Sequence, residues 1–341
     1  MKRRSFLILI VILFLLVAYP AWKIFGPGLT VPEGDYFYIP TGSTSENVKQ
    51  SLIDNKIISS PWFFDQLSRK LSYTHAVKAG RYEIKEGSSL FSLVRMLRAG
   101  NQSPVNLVIH KIRTLEDLAA KIGTNFECDS LKVIRFLKNP DSLYRYRLDS
   151  NTVMTAIIPN SYSILWNTTP SRIFKKLYTD QEKFWTPERK NKAGALNMTP
   201  LQIYIMASIV EEETNKEEDK GKIASVYFNR LETGMKLGAD PTVKFAMRDF
   251  GLKRILFKHL GFESPFNTYQ HNGLPPGPIC TPSVKTIDAV LNAPQTNYIY
   301  FVAKPDFSGF SNFATDYNEH MVFAHAYQQA LDSLIKAKGQ K

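Results

Sequence analysis

The sequence predicts a multidomain α+β chain: an apolar N-terminal transmembrane helix, a set of small strand–helix units, and a larger mixed α/β domain built around one buried helix. Three observations carry that expectation. An uninterrupted apolar run from Phe6 to Ala18 follows a basic start. Further on, the order strand, Gly/Ser turn, amphipathic helix recurs three times before residue 125. Finally, "NMTPLQIYIMASIVEEET" reads as a helix that is apolar nearly all round and ends in three glutamates, the pattern of a helix at the centre of a core.

The first element is the anchor. Lys2, Arg3 and Arg4 precede the apolar run, and Tyr19, Pro20, Ala21 and Trp22 extend it to Lys23. A cleaved signal peptide has the same basic start, but no small-x-small site follows, and Tyr19 with Trp22 fits an interfacial aromatic belt. Residues 1–25 are therefore read as a cytoplasmic tip and transmembrane anchor and residues 26–35 as a linker. The positive-inside rule places the rest of the chain outside the cytoplasm. The chain has 341 residues, is 44% hydrophobic and 22% charged, and carries a formal net charge of +12. Such a basic balance suits an anionic partner, a membrane surface or an acidic polymer. The basic residues are spread along the chain with no docking stripe, which argues against nucleic acid.

Three strand–helix units come next, within residues 36–125. "YFYIPTGSTSENVKQSLIDNKII" gives a strand, a turn and an amphipathic helix. "RYEIKEGSSLFSLVRMLRAG" repeats the order, with Leu90, Val94 and Leu97 on one helical face and Gly100 as the stop. "VNLVIHKIRTLEDLAAKIG" offers a third, with Thr114 as cap, Asp117 three residues on and Gly123 as the end. The wording "EGSSLFSLVRMLRAGN" and "TLEDLAAKIG" resembles LysM-type modules, which bind chains of N-acetylated sugars; a spacer or a dimerisation surface would fit the same pattern.

From about residue 130 the chain reads as mainly helical, through "SLKVIRFLKN" and "PSRIFKKLYTDQEKFW", with a strand-like aromatic segment "AIIPNSYSILWNTT" between them. After residue 235 short strands and Gly/Pro turns are expected, in "LGADPTV", "NTYQHNGLPPGPICTPS" and "TNYIYFVAKPDFSGFSNFAT", before a closing amphipathic helix around "NEHMVFAHAYQQALDSLIKA". Cys128 and Cys280 are the two cysteines and read as two buried thiols. The six histidines show no zinc-ligand spacing and the cysteines form no CxxC pair, so no metal and no cofactor are expected.

The glutamate helix has strong start signals: Thr199 as N-cap, Pro200 at the first position and Gln202 completing a capping box. At 100° per residue the three acids face different surroundings. Glu211 lies on the side of Tyr204, Ala207 and Ser208, and Glu212 is nearer Leu201 and Ser208. Glu213 sits above Ile209 and Val210 and continues the stripe through Met206, so it is the most core-directed. A carboxyl held against apolar neighbours loses hydration and its pKa rises, which is the state a general acid needs near neutral pH. An ion pair with Lys216, Lys220 or Lys222, or a helix-end cap, is the alternative role.

"ASIVEEETNKEEDKGKIASVYFNRLETGMKLGADPTVKFAM" resembles the signature of the endolytic murein transglycosylases, the YceG-like family, and the likeness continues in "PFNTYQHNGLPPGPICTPS", "YIYFVAK" and "FATDYNEH". It spans residues 200 to 325, and residues 126–341 are read as the YceG-like catalytic domain on that basis. The family has a Pro-Asp-Thr-Tyr block where this chain reads "PNSY", so Asn160 departs from it. The resemblance implies cleavage, within nascent peptidoglycan strands, of the β-1,4 bond between N-acetylmuramic acid and N-acetylglucosamine, leaving a 1,6-anhydromuramic end and limiting strand length. It implies Glu213 as the catalytic residue, acting alone as acid and base, and penicillin-binding synthases as partners. By block position, Asp240, Thr242, Asn267, Thr268, Tyr269 and Arg230 are candidate substrate-binding residues, and Gly273, Pro275, Pro276 and Gly277 shape the cleft. Turn capping by Asp240 and Thr242, and a snorkelling Arg230, are the bland readings beside these. A water-using muramidase with Asp240 as second carboxylate, or a non-catalytic glycan-binding scaffold, stays open at this stage.

Overall fold

The glutamate helix, Pro200–Glu213, is the best place to begin, because its sequence explains both its formation and its position. Thr199 Oγ1 accepts from the Gln202 N–H at 3.2 Å while Gln202 Oε1 accepts from the Thr199 N–H at 2.9 Å, closing the expected capping box. Its interior, rich in β-branched residues, has only middling helix propensity. Burial supplies the rest: Ile203 through Val210 are all buried, and each large apolar side chain so enclosed contributes about 1.5–3 kcal/mol.

The computed structural model describes residues 2–339, with the side chains of residues 2–5 and 338–339 outside that description. The basic start read at Lys2, Arg3 and Arg4 therefore rests on sequence alone. The chain divides into two compact units.

The first unit comprises Met1–Leu107, Gly123–Asp129 and Ser163–Thr169. It starts with the helix Lys2–Phe25, whose Phe6–Phe25 stretch has 20 residues of hydropathy 2.5 and is long and apolar enough to cross a membrane. Strands Tyr36–Ile39 and Gly80–Glu83 pair antiparallel in the register Tyr36↔Glu83 and Phe37↔Tyr82. Alternation sends Phe37 and Ile39 into the core and leaves Tyr38 exposed. Helices Ser45–Asp54, Pro61–Lys70 and Leu90–Ala99 supply Val48, Leu52, Phe64, Leu93, Val94 and Leu97 to the same core. Gly100 ends the last of them in the left-handed region, at φ 75°. Residues 26–35, read as a linker, are held by backbone pairing. The Thr30 N–H donates to Ile57 O at 3.0 Å, and Pro27 and Leu29 form isolated bridges to Ser89 and Ile58. Long-range backbone pairing of this kind leaves no local signature.

The second unit comprises Val108–Ile122, Ser130–Tyr162 and Pro170–Lys341. The segment Val108–Ile122 thus belongs with the larger unit, across the boundary drawn at residue 125. Around the glutamate helix pack Pro187–Ala195, Glu217–Glu232, Asp240–Met247 and Val284–Leu291. Their cluster includes Trp185, Tyr204, Met206, Ile209, Ile223, Tyr227, Leu237 and Ile287. "LGADPTV", expected as short strand and turn, instead opens a helix, Asp240–Met247: Pro241 stands in its first turn with Asp240 at its start. Tyr300–Ala303 and Ser311–Ala314 form an antiparallel hairpin against the closing helix Tyr317–Gly339. Cys280 and Cys128 are buried thiols.

Candidate functional site

The three consecutive glutamates have three different fates. Glu211 Oε2 accepts from the Ser283 hydroxyl at 3.0 Å and from the Thr286 hydroxyl, and lies 3.6 Å from Lys220 Nζ. It braces the start of the Val284–Leu291 helix. Glu212 takes a two-point contact from Arg113, Nε to Oε1 at 3.1 Å and Nη2 to Oε2 at 2.9 Å, and a third from Lys111 Nζ at 3.1 Å. Burial alone would raise its pKa; the Arg113 hydrogen bonds and the Lys111 charge overcome that and hold it below its ordinary value. Neither is the solvated surface group its place in an acidic run suggests.

Glu213 is different. Among the described residues it forms no ion pair. Lys220 is engaged by Glu217 at 2.7 Å and by Glu211, while Lys216 and Lys222 lie over the rings of Phe310 and Phe313. Among the described residues its carboxyl accepts one hydrogen bond, from the buried phenol of Tyr227, 2.5 Å from Oε1. Loss of hydration is the largest influence and, with the nearby Asp240 charge, pushes the Glu213 pKa up to about 7; the Tyr227 hydrogen bond and the charges of Arg230 and Lys244 pull the other way. The partly exposed side chain lines a cavity of about 430 Å³ shared with Lys111, Arg113, Lys216 and Gly309. A carboxyl that is protonated near neutrality, held by one donor and open to a cavity is equipped to give a proton to a bound molecule and take one back.

The expected neighbours fall into two groups. Asp240 and Tyr269 carry polar groups beside the site: the Tyr269 hydroxyl donates to Asp240 Oδ1 at 2.7 Å. Burial first, then that hydrogen bond, raises the Tyr269 phenol pKa and keeps it a donor. Thr242, Asn267 and Thr268, by contrast, are 0%, 0% and 2% exposed, and protein groups occupy their polar atoms. Thr242 Oγ1 donates to Ala239 O at 2.6 Å and meets Thr268 Oγ1 at 2.9 Å. Asn267 Nδ2 donates to Leu260 O and Phe262 O at 3.0 and 2.8 Å. They hold the backbone that carries Asp240 and Tyr269, a supporting place.

Arg230 is tied to backbone carbonyls, Nε to Ile299 O at 2.8 Å and Nη1 to Leu237 O at 2.5 Å, with Asn229 likewise bound to Thr296 O and Tyr298 O. Its guanidinium charge still reaches Glu213. Gly273 adopts φ 82°, a conformation suited to glycine. A Cβ on Gly277 would lie 2.0 Å from the Asn151 carbonyl oxygen, so no side chain fits there. Pro275 is buried and Pro276 exposed. Asn160 turns its side-chain oxygen to the N–H of Ser161 at 2.8 Å.

Tyr227, Lys111 and Arg113 escaped sequence reasoning. Tyr227 looks like one more core aromatic on its helix, and only the packing of Glu217–Glu232 against Pro200–Glu213 brings its hydroxyl to Glu213. Lys111 and Arg113, two positions apart in a strand-like stretch, carried the one available signal, since alternation puts both on one side.

Comparison with known proteins identifies the family. Residues 37–325 match the YceG-like family. An endolytic murein transglycosylase of Bacillus subtilis (strain 168) is 27% identical over 318 residues, covering 89% of this chain and 85% of that protein. Another from Streptococcus pneumoniae serotype 2 (strain D39) is 28% identical over 301 residues, 78% of this chain and 53% of its own length; the chain thus spans about half of the streptococcal relative. A crystal structure of a YceG-like protein from Listeria monocytogenes superposes with a TM-score of 0.57 at 26% identity, over 84% of this chain and 97% of that one. With most of its length matched in order, the chain belongs to the YceG-like family.

Proposed function

We propose that this protein is a lytic transglycosylase that cuts peptidoglycan glycan strands internally, at the β-1,4 bond between N-acetylmuramic acid and N-acetylglucosamine. The observation that carries the reading is the state of Glu213: protonated near neutrality, free of cationic partners among the described residues, and facing a cavity. The names of the Bacillus and Streptococcus relatives support it.

The chemistry needs one carboxyl. Glu213 gives its proton to the bridging oxygen as the bond from that oxygen to the muramyl anomeric carbon breaks, and N-acetylglucosamine leaves with a new hydroxyl. The muramyl C6 hydroxyl oxygen then bonds to the anomeric carbon and its proton returns to Glu213. No water is consumed, the carboxyl is restored, and the strand ends in 1,6-anhydromuramic acid. Attack by a group already held on the same sugar corresponds to effective molarities on the order of 10⁵ M or more, which removes the need for a second carboxylate to activate water. In this proposal the muramyl N-acetyl oxygen stabilises the intermediate, as in substrate-assisted glycosidases. Asp240 and Tyr269 orient the sugar; the buried threonines and Asn267 hold them there.

In this reading the Phe6–Phe25 helix spans the cytoplasmic membrane with the amino terminus inside, so the chain that follows it works on the outer side. Cuts within new strands limit their length, next to the synthases that make them. The test is incubation of the full chain in detergent with purified peptidoglycan, followed by mass spectrometry of the new ends, with Glu213→Gln alongside. Anhydromuramic ends from the wild type alone are expected. Reducing ends would mean a water-using muramidase, and intact strands with retained binding would mean a scaffold.

A further inference from the structure

Between Arg248 and Phe262 the second unit leaves a run of large apolar side chains facing solvent. Phe257 is 93% exposed, Leu256 48%, Phe262 41% and Phe250 38%. Only Ile255 of this run is fully turned inward, at 9%. Phe250 is engaged within the protein, under the Arg113 guanidinium at 5.3 Å from the ring centre and against Phe245. Single exposed hydrophobics are ordinary, but Leu256, Phe257 and Phe262, three within seven residues, call for a partner. The proposed catalysis uses none of these three.

Their neighbours say which partner. Lys253, Arg254 and Lys258 are interleaved with the apolar residues, are exposed, and form no ion pair among the described residues. Arg248 adds a fourth cation, against the acids Asp249 and Glu263. Aromatic and leucine side chains pointing outward, with unpaired lysine and arginine between them, are the composition of an interfacial segment: the apolar groups enter the headgroup boundary and the cations meet lipid phosphates. A protein partner's hot-spot surface would be depleted in lysine, so the charge pattern favours a lipid surface.

We infer that the Arg248–Phe262 segment is a docking surface for an anionic lipid bilayer. The inference rests on the proposed membrane anchor and is independent of the proposed chemistry. A chain already tethered by Phe6–Phe25 needs only weak affinity at a second point, because tethering makes that contact intramolecular. The segment also has a physical link to the site. Asn267 Nδ2 grips Leu260 O and Phe262 O, and Gln270 Nε2 donates to Leu260 O at 2.6 Å. The next residues, Thr268 and Tyr269, reach Thr242 and Asp240. Contact with lipid would therefore steady the wall of the site that carries Asp240.

The test uses the full chain reconstituted in vesicles, with an environment-sensitive fluorophore on Phe257→Cys and, for reference, on Tyr144→Cys, whose native side chain is 84% exposed. In phosphatidylglycerol vesicles the probe at position 257 is expected to shift to the blue and to be quenched by brominated acyl chains. The probe at 144 should stay water-like. Replacing Lys253, Arg254 and Lys258 together by glutamate should abolish the shift while the circular dichroism spectrum is retained. Three results would overturn the inference: a water-like probe at 257 in a chain that floats with the vesicles, an equal shift in phosphatidylcholine, or a shift that survives the charge reversal. A chain that does not float at all would remove the anchor and the docking surface together, whatever the ends released from peptidoglycan show.

Discussion

The phenol of Tyr227 donates to Oε1 of Glu213 at 2.5 Å, across two helices that are consecutive in the chain. Burial and the Asp240 charge raise the Glu213 carboxyl while this hydrogen bond restrains it, and the balance lies at about 7. In the proposed mechanism Glu213 must be protonated in the free enzyme, so kcat/KM is expected to fall roughly tenfold per pH unit above that value. Stability carries the same signature. A carboxyl raised from its ordinary 4.5 contributes fully to folding at pH values below 4.5, and that contribution is lost as pH rises through about 7. Glu213→Gln should therefore match the wild type at pH 4 and exceed it by about 1–3 kcal/mol at pH 8, measured by denaturant unfolding at both.

Tyr227→Phe removes the largest of the influences that hold the Glu213 pKa down. The alkaline limb of the pH–rate profile should move to higher pH, and kcat should fall about tenfold or more, the size of one charge-assisted hydrogen bond, with KM changed less. A phenol that serves only to pack the core would leave the limb where it is.

Asp240→Asn takes away a negative charge that raises Glu213. The limb should move to lower pH and the products should still carry anhydromuramic ends. If the wild type released reducing ends and this variant released none, Asp240 would be the second carboxylate of a hydrolase.

Glu212 is a structural acid with the opposite pH behaviour. Its pKa lies below the ordinary 4.5, so its contribution to folding is present above that value and is lost as pH falls through the lowered one. Glu212→Ala should cost about 1–3 kcal/mol at pH 7, a figure reduced from that of a fully buried pair because Arg113 and Lys111 are partly exposed. The gap from the wild type should close in acid, as thermal melts at pH 7 and pH 3 would read.

Gly277→Ala would drive a Cβ to within 2.7 Å of the Asn151 carbonyl carbon as well as into its oxygen. Backbone, and not a flexible side chain, must move, so a loss of about 1–3 kcal/mol is expected in denaturant unfolding.

Local patterns foretold the local structure here. The caps at Thr199 and Thr114 and the stop at Gly100 are consequences of spacing within a few residues. What depended on distant pairing was invisible. Residues 26–35 lack strand or helix periodicity, yet backbone bonds to Ile57 and Ser88 fix them. "ADPTV" carries a proline that reads as a turn, but the same proline suits a first helical turn. At the site, Thr242, Asn267 and Thr268 have sugar-binding chemistry in isolation; the folded chain uses that chemistry internally. Tyr227 shows the converse, a residue ordinary in sequence that packing brings to the carboxyl.

Glu213 is the last residue of its helix, ahead of Thr214 with φ −147° and ψ 146°. Peptide dipoles add along a helix, so its carboxyl-terminal end is a region of negative potential, hostile to an anion. For the resting protein this is one more reason to stay protonated. In the proposed reaction, once the proton has gone to the leaving sugar, the same potential acts on the carboxylate left behind. The helix end that keeps Glu213 loaded with a proton in the resting protein thus makes its conjugate base a strong acceptor, and it favours the return of the C6 hydroxyl proton.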